Sequence, residues 1–189
     1  MPYGVITSFQ GKHRFLSNFW MADVEFEGET YPGTEYAYQA AKTLDPKARL
    51  NINLAPSPKA AKDLGRALKS LRPDWDRVKD EVMYQVVKDK FSRHADLRQK
   101  LLDTGEAHLV EGNWWHDNYW GCCYCEKCAQ EGVVGLNKLG LTLMRVRDEI
   151  RAWKEAGESA LATMAEADAR RREAAEEDAR QALPLEDLE

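Results

Sequence analysis

The sequence predicts a mainly helical α+β fold in one domain over residues 1–155, followed by a charged tail over residues 156–189. Short β-branched and aromatic segments separated by turn residues occur in the first thirty residues. Helix caps and helical apolar periodicity follow as far as residue 155, and beyond that point the chain is mostly Ala, Glu and Arg. The 189 residues suffice for one ordinary hydrophobic core.

The strands are expected near the start of the chain. Residues 5–9 are β-branched and aromatic, and residues 24–31 alternate around Glu27-Gly28 as a hairpin does. Residues 12–20, between them, combine basic, amide and aromatic side chains. This connector is either a loop anchored in the core or a ligand-binding loop.

Cap residues mark where the helices begin. Thr34 is the predicted N-cap of a helix over residues 35–42, and Ser57 with Pro58 starts another that Gly65 ends. Asp74 caps a longer helix, and a further helix stops at Thr104-Gly105. The last helix of the domain follows residues 135–138, and five residues form its predicted buried side: Leu139, Leu143, Val146, Ile150 and Trp153.

The tail carries the net charge. The chain has a formal charge of -5, while residues 1–150 hold 21 basic and 21 acidic side chains. The domain therefore lacks the basic excess of a protein that grips duplex DNA through many phosphates. The tail is expected to be a solvated helix or disordered.

No signal peptide or apolar span is evident, so we expect a cytoplasmic protein without a membrane partner, whose oligomeric state is open.

All four cysteines, Cys122, Cys123, Cys125 and Cys128, lie within seven residues. This crowding does not suit a disulfide framework, so a reducing compartment is expected. Cys125 and Cys128 have the spacing of half a zinc site, but a second such pair is missing. A plain reduced loop is favoured over a structural zinc site made of the four thiols.

Polar side chains at helical spacing are the strongest functional signal. Glu35, Tyr38, Gln39 and Lys42 share one side of the first predicted helix, where a solvated face is the alternative interpretation. A second cluster, residues 111–121, contains three Trp, one Tyr, two Asn and an Asp. So many aromatic residues together indicate a ligand or a partner. Nucleotide-binding fingerprints and H-E-x-x-H are absent from the sequence.

Several blocks of unusual composition resemble the NADAR superfamily, in family order and over residues 5–150. They comprise residues 15–19, 31–42, 57–66, 71–75, 82–83, 90–91, 109–111, 117–121 and 135–147. The resemblance implies a mainly helical α+β domain that cleaves a ribose N-glycosidic bond. The substrates it implies are phosphorylated ribosylamino-pyrimidines of riboflavin synthesis or ADP-ribose attached to guanine, including ADP-ribosylated nucleic acid.

The resemblance also assigns roles to four residues. It implies that Glu35 is the essential carboxylate, Asp117 the second acid, Trp75 the aromatic residue that stacks on the base, and Asn18 the amide of the block over residues 15–19. The chain departs from the family at Gly33 and Tyr36, where Thr and His are usual, at the cysteine loop and in the tail.

Cleavage of this bond builds positive charge on ribose and negative charge on the leaving base. One of Glu35 and Asp117 would stabilise the ribosyl cation or orient the attacking water, and the other would act as partner acid or hold the ribose hydroxyls. The sequence leaves open which residue has which role. The start of a helix should favour the ionised form of Glu35, although aromatic burial could oppose it. No cofactor is expected. Arg14, Lys42, Lys62 and Arg66 are candidates for a phosphate clamp. The remaining substrate-binding candidates are Ser17, Asn18, Tyr38, Gln39, Trp75, Asn113, Trp115, Trp120, Gly121 and Asn137.

Two other classes of function stay open at this point. A non-catalytic module would bind ADP-ribose or NAD without turnover, and an interaction protein would depend on its tail. The charged pair Glu35 and Asp117 favours turnover, because a binding module has no need of it beside the sugar.

Overall fold

The computed structural model describes residues 4–181. Seven α-helices occur in this range: α1 Thr34–Ala40, α2 Pro46–Asn53, α3 Pro58–Arg66, α4 Trp75–Arg93, α5 Ala95–Leu102, α6 Glu126–Gln130 and α7 Lys138–Gln181. The strands are short: β1 Val5–Ile6, β2 Val24–Phe26, β3 Glu29–Tyr31, β4 His108–Leu109, β5 Gly112–Asn113 and β6 Cys122–Cys123. A 3-10 helix spans Gly11–Leu16. The prediction of a mainly helical α+β fold is confirmed.

The described strands form three two-stranded sheets. β2 and β3 are antiparallel, as the hairpin prediction required, and Glu27 and Gly28 between them both have positive φ, 50° and 80°. Two left-handed residues in a row give the type I′ twist that suits a tight hairpin. β1 pairs with β4 and β5 pairs with β6, both in parallel. The predicted strand over residues 5–9 is shortened to its first two residues.

Helix α1 lies at the centre of the fold. All seven of its residues are buried, and it contacts α2, α3 and α4. The prediction of Thr34 as N-cap is wrong: Gly33 occupies that position, while Thr34 is the first helical residue and completely buried. The helix start is held instead by a bond from the backbone N–H of Glu35 to the carbonyl of Asn18, 3.2 Å.

Side-chain caps hold the starts of α2 and α3, but not that of α4. Ser57 caps α3 and accepts a hydrogen bond from the backbone N–H of Ala60, 3.1 Å. Asp74 precedes α4, but its carboxylate binds the guanidinium of Arg72 at 2.7 Å and does not cap the helix. Helix α2, which the sequence analysis did not predict, has the same kind of signal in Asp45.

Helix α7 contains both the last helix of the domain and the described part of the tail. Leu139, Leu143, Val146 and Ile150 are buried as predicted, whereas Trp153 is 54% exposed, which corrects its assignment to the buried side. The chain divides into two compact units at Ile150. The domain boundary near residue 155 stays a prediction. No helix within residues 4–181 is long and apolar enough to cross a membrane.

Candidate active site

A cavity of about 320 Å³ opens beside α1. Segments that are far apart in the sequence form its walls: residues 9–19, helix α1 with the following Lys42, helix α3, residues 111–120, and Met83 of α4. Eighteen residues line it: Phe9, Gln10, Arg14, Ser17, Asn18, Phe19, Glu35, Tyr38, Gln39, Lys42, Lys62, Arg66, Met83, Glu111, Gly112, Trp115, Asp117 and Trp120. The polar face of α1 thus faces a cavity and not bulk solvent.

Glu35 is the most deeply buried carboxyl group of the cavity, with 5% exposure. Its Oε1 accepts a 2.7 Å hydrogen bond from Nε2 of Gln39, one turn along α1. Burial raises the pKa of Glu35, and Lys62, the bond from Gln39, Lys42 and Arg66 oppose the rise only in part. Of the two opposing effects that the sequence analysis named for Glu35, burial is the larger, and the pKa is raised.

Glu111 is a second carboxyl group of the cavity, which the sequence analysis did not select as a functional residue. Burial, and then the nearby charge of Asp117, raise its pKa to about 7, with Lys62 opposing and Glu35 adding to the rise. Its backbone N–H donates to Oδ1 of Asn137 at 3.1 Å. The cavity therefore contains a carboxyl group that is half protonated near neutral pH.

Asp117 is the third carboxyl group, and backbone groups fix its orientation. Its Oδ1 accepts hydrogen bonds from the N–H groups of Tyr119 and Trp120, 3.2 and 2.9 Å long. Asn113 holds the same turn through Oδ1, which accepts from the N–H groups of Trp115 and Asp117, both at 3.2 Å. This rigid turn sets the direction of the Asp117 carboxylate toward the cavity.

Four cations surround the cavity: Arg14, Lys42, Lys62 and Arg66. Among residues 4–181, none of them forms an ion pair with a carboxylate within 4.0 Å. Burial lowers the pKa of Lys42, and the neighbouring Lys62 and Arg66 act in the same direction, against Glu35. Several cations without carboxylate partners in one cavity are suited to an anionic ligand such as phosphate.

A buried lysine anchors the N-terminal wall. Lys90 of α4 is 1% exposed, and its Nζ donates to the carbonyls of Phe15 and Ser17 at 2.6 and 3.0 Å. Burial lowers the pKa of Lys90 to about 7. The Asn18 side chain donates to the sulfur of Met83 at 3.4 Å. The connector over residues 12–20 is thus anchored in the core and also lines the cavity.

Trp75 does not line this cavity. It is 7% exposed and packs against Tyr38, with 5.2 Å between the ring centroids. Tyr38 lies between Trp75 and Trp120, and the latter meets it edge-on at 5.4 Å. The aromatic side chains that do line the cavity are Phe9, Phe19, Tyr38, Trp115 and Trp120, of which Trp115 is 56% exposed.

Three further candidates, Asn113, Gly121 and Asn137, support the cavity without lining it. Asn137 has a φ of 52° and also donates to the carbonyl of Leu109 at 2.8 Å. A Cβ atom at Gly121 would lie 2.1 Å from the carbonyl oxygen of Glu111, so only glycine fits there. The side chains of Asn113 and Asn137 accept hydrogen bonds from the backbone N–H groups of Asp117 and Glu111, respectively, and so hold the segments that carry these two carboxyl groups.

The structure does not bring the four cysteines together. The thiol of Cys122 points to the carbonyl of Gly135, 3.6 Å away, so the four-cysteine set is not formed. Cys123, Cys125 and Cys128 instead gather around His116, a residue that the sequence analysis did not select as a metal ligand.

Comparisons with known proteins agree with this architecture. The family model of the NADAR domain matches residues 6–151. N-glycosidase YbiA of Escherichia coli is 39% identical over 136 residues, which are 71% of this chain and 80% of that protein. N-glycosidase Npun_R5314 of Nostoc punctiforme is 41% identical over 140 residues, or 72% of this chain and 85% of the relative.

Two further comparisons concern a plant relative and a solved structure. The chloroplastic riboflavin biosynthesis protein PYRR of Zea mays is 37% identical over 151 residues, 71% of this chain and 23% of that protein. The NMR structure of E. coli YbiA has a TM-score of 0.70 and 35% identity, covering 82% of this chain and 89% of the solved one. The chain belongs to the NADAR domain family.

Proposed function

We propose that this chain, a hydrolase of N-glycosyl bonds, cleaves the bond between C1′ of a phosphorylated ribose and an amino-pyrimidine or purine nitrogen. The observation that carries the proposal is the joint presence, in one cavity, of three carboxyl groups and four cations that have no carboxylate partner within residues 4–181. The site needs carboxylates to stabilise the positive charge that develops on ribose, and it needs cations to bind the negatively charged phosphate.

The first step is departure of the base. The C1′–N bond breaks, its electron pair goes to nitrogen, and nitrogen takes a proton. A general acid must be protonated at working pH and yet release its proton readily, which a pKa near 7 allows. Glu111, whose pKa is raised to about 7, suits this role. In the proposal, Glu111 gives its proton to the departing nitrogen.

The second step is capture of the ribosyl cation by water. Asp117, fixed by two backbone N–H groups, stabilises the positive charge at C1′. Glu35 takes a proton from the attacking water, for which a raised pKa makes its carboxylate a stronger base. The oxygen of water ends on C1′, Glu35 releases the proton it has taken to solvent, and Glu111 is reprotonated from solvent. The products are the free base and a phosphorylated ribose.

Cavity size favours the smaller of the two substrate classes. At about 320 Å³ the cavity is near the low end of the range of about 300–1,000 Å³ for ligand pockets. A ribosylamino-pyrimidine phosphate requires one ring, one sugar and one phosphate, whereas ADP-ribose adds a second nucleotide. The relative named as a riboflavin biosynthesis protein supports the same choice.

The test is release of base from defined substrates. The purified protein is incubated separately with phosphorylated ribosylamino-pyrimidine, ADP-ribosylated guanine DNA and NAD, and liberated base is measured by chromatography. We expect the first substrate to have the highest kcat/KM. Glu35→Gln preserves volume and hydrogen bonding, so it should lower turnover by about a hundredfold or more with little change in binding.

The alternative is a non-catalytic module that binds ADP-ribose or NAD. Binding of either ligand without release of base from any of the three substrates would refute the proposed hydrolysis. Equal turnover by wild type and Glu35→Gln would remove Glu35 from the mechanism while leaving the activity in place.

A further inference from the structure

A compact group of nitrogen and sulfur donors lies in the cysteine loop. The donor atoms of His116, Cys123, Cys125 and Cys128 are all within 4.8 Å of one another. Nδ1 of His116 lies 3.3 Å from the sulfur of Cys128 and 3.4 Å from that of Cys125. We propose that these four residues bind a structural zinc ion.

The separations fit tetrahedral coordination. With Zn–S bonds of about 2.3 Å and Zn–N bonds of about 2.0–2.1 Å, neighbouring ligand atoms of a tetrahedron are about 3.5–3.8 Å apart. The two nitrogen–sulfur separations are already close to this value, and the longest separation in the group requires only a small side-chain rotation. Three thiols and one imidazole form one of the common structural zinc sets.

Hydrogen bonds to sulfur support the same conclusion. Cys123 Sγ accepts from the backbone N–H groups of His116 and Cys125, at 3.3 and 3.5 Å. Cys125 Sγ accepts from the N–H of Cys128 at 3.4 Å, and Cys128 Sγ accepts from Nδ2 of Asn118 at 3.3 Å. Each of the three sulfurs therefore has an N–H donor, as zinc-bound thiolates have in their outer shell.

The site is closed and lies outside the cavity. All four positions of a tetrahedron are filled by protein atoms, so no position remains for water or substrate, and the zinc has no part in the chemistry. None of the four ligands lines the cavity. The zinc instead connects residue 116 to residues 123–128, closing a loop that contains β6 and the start of α6.

Zinc binding is coupled to the cavity through its flanking residues. His116, at a φ of 65°, stands between Trp115 and Asp117, which both line the cavity. Fixing its ring therefore fixes the turn that carries the Asp117 carboxylate. This consequence rests on the proposed function, whereas the zinc site itself does not.

Zinc content tests the site without any substrate. The full chain is produced with zinc in the medium, and zinc per chain is measured by mass spectrometry. We expect one zinc per chain for wild type and for Cys122→Ser, the matched control whose thiol points away from the group. Cys128→Ser should lose the metal, and His116→Cys should keep it with a fourth thiolate.

Cobalt substitution and chelation identify the ligands in the wild-type fold. Bound Co²⁺ should give visible absorption bands typical of tetrahedral coordination and a thiolate-to-cobalt charge-transfer band. The charge-transfer band should be stronger in His116→Cys. A strong chelator should lower the melting temperature, and added zinc should restore it. Four free thiols without metal, with a melting temperature insensitive to zinc, would overturn the proposal. Equal zinc content in Cys122→Ser and Cys128→Ser would overturn it as well.

Discussion

Raising the pH through 7 is expected to deprotonate Glu111 and to stop its action as general acid. With a pKa of about 7, the group is about 91% protonated at pH 6 and about 9% at pH 8, so kcat/KM should fall about tenfold. Glu111→Gln cannot give a carboxylic proton, and a general acid contributes about 10²–10⁴-fold to the rate. We expect the variant to lose at least about a hundredfold and to lose this alkaline decline.

Glu111→Gln should change stability in the opposite direction to activity. A carboxyl group whose pKa is higher in the folded chain supports the fold below about pH 4.5, and this contribution is lost as the pH rises through about 7. The rise from 4.5 to about 7 corresponds to at most about 3 kcal/mol. Because Glu111 is partly exposed, Glu111→Gln should raise the free energy of unfolding at about pH 8.5 by about 1–3 kcal/mol.

The assay is kcat/KM between about pH 5.5 and 9, with urea unfolding at both ends of that range. Glu29→Gln on the exposed side of β3 is the matched control and should leave both profiles unchanged. A wild-type profile that is flat through pH 7, or a Glu111→Gln protein that is active and loses stability at alkaline pH, would contradict the role of Glu111 as general acid.

Three further predictions concern the core, helix packing and the anion site. Trp75→Ala should lose about 3–5 kcal/mol of unfolding free energy in urea, because the indole is buried against Tyr38. Gly65→Ala should lower both the melting temperature and kcat/KM, since its Cβ would lie 2.0 Å from Oε1 of Gln39, which orients Glu35. Lys62→Gln should raise KM for a phosphorylated substrate about tenfold or more, and much less for the dephosphorylated one.

Each of these changes has a control. Trp75→Phe keeps an aromatic ring against Tyr38 and should lose less stability than the alanine variant; equal losses would contradict this packing role. Gly157→Ala meets nothing within 4 Å and should not reduce stability. Lys59→Gln removes an exposed cation of the same helix that pairs with Asp63 at 2.6 Å, so an equal rise in KM would contradict a phosphate role for Lys62.

Local sequence signals predicted the fold class and most helices, because caps and periodicity act over a few residues. Ser57 and the Glu27-Gly28 turn are examples, since their partners lie within three residues. Thr34 shows the limit of such signals. Its capping chemistry is overridden by burial of α1 on all sides and by the carbonyl of Asn18, which lies sixteen residues earlier.

The site was less accessible to sequence reasoning. The helical spacing of Glu35 and Gln39 is evident in the sequence, whereas the chemical roles of these residues stay predictions. Glu111 is unremarkable in the sequence, because its raised pKa arises only when folding brings it close to Asp117 and away from water. His116 was missed for a related reason: it precedes Cys123 by seven positions, and the turn at positive φ brings its ring to the thiols.

The anchoring by Lys90 bears on how this cavity can change during evolution. Its ammonium contacts main-chain oxygens of Phe15 and Ser17, which every amino acid possesses. Side chains on this wall can therefore be exchanged without removing the anchor. A library that varies Arg14, Ser17 and Asn18 while keeping Lys90 should retain folded members and alter substrate preference, whereas the same library in a Lys90→Met background should yield few folded proteins.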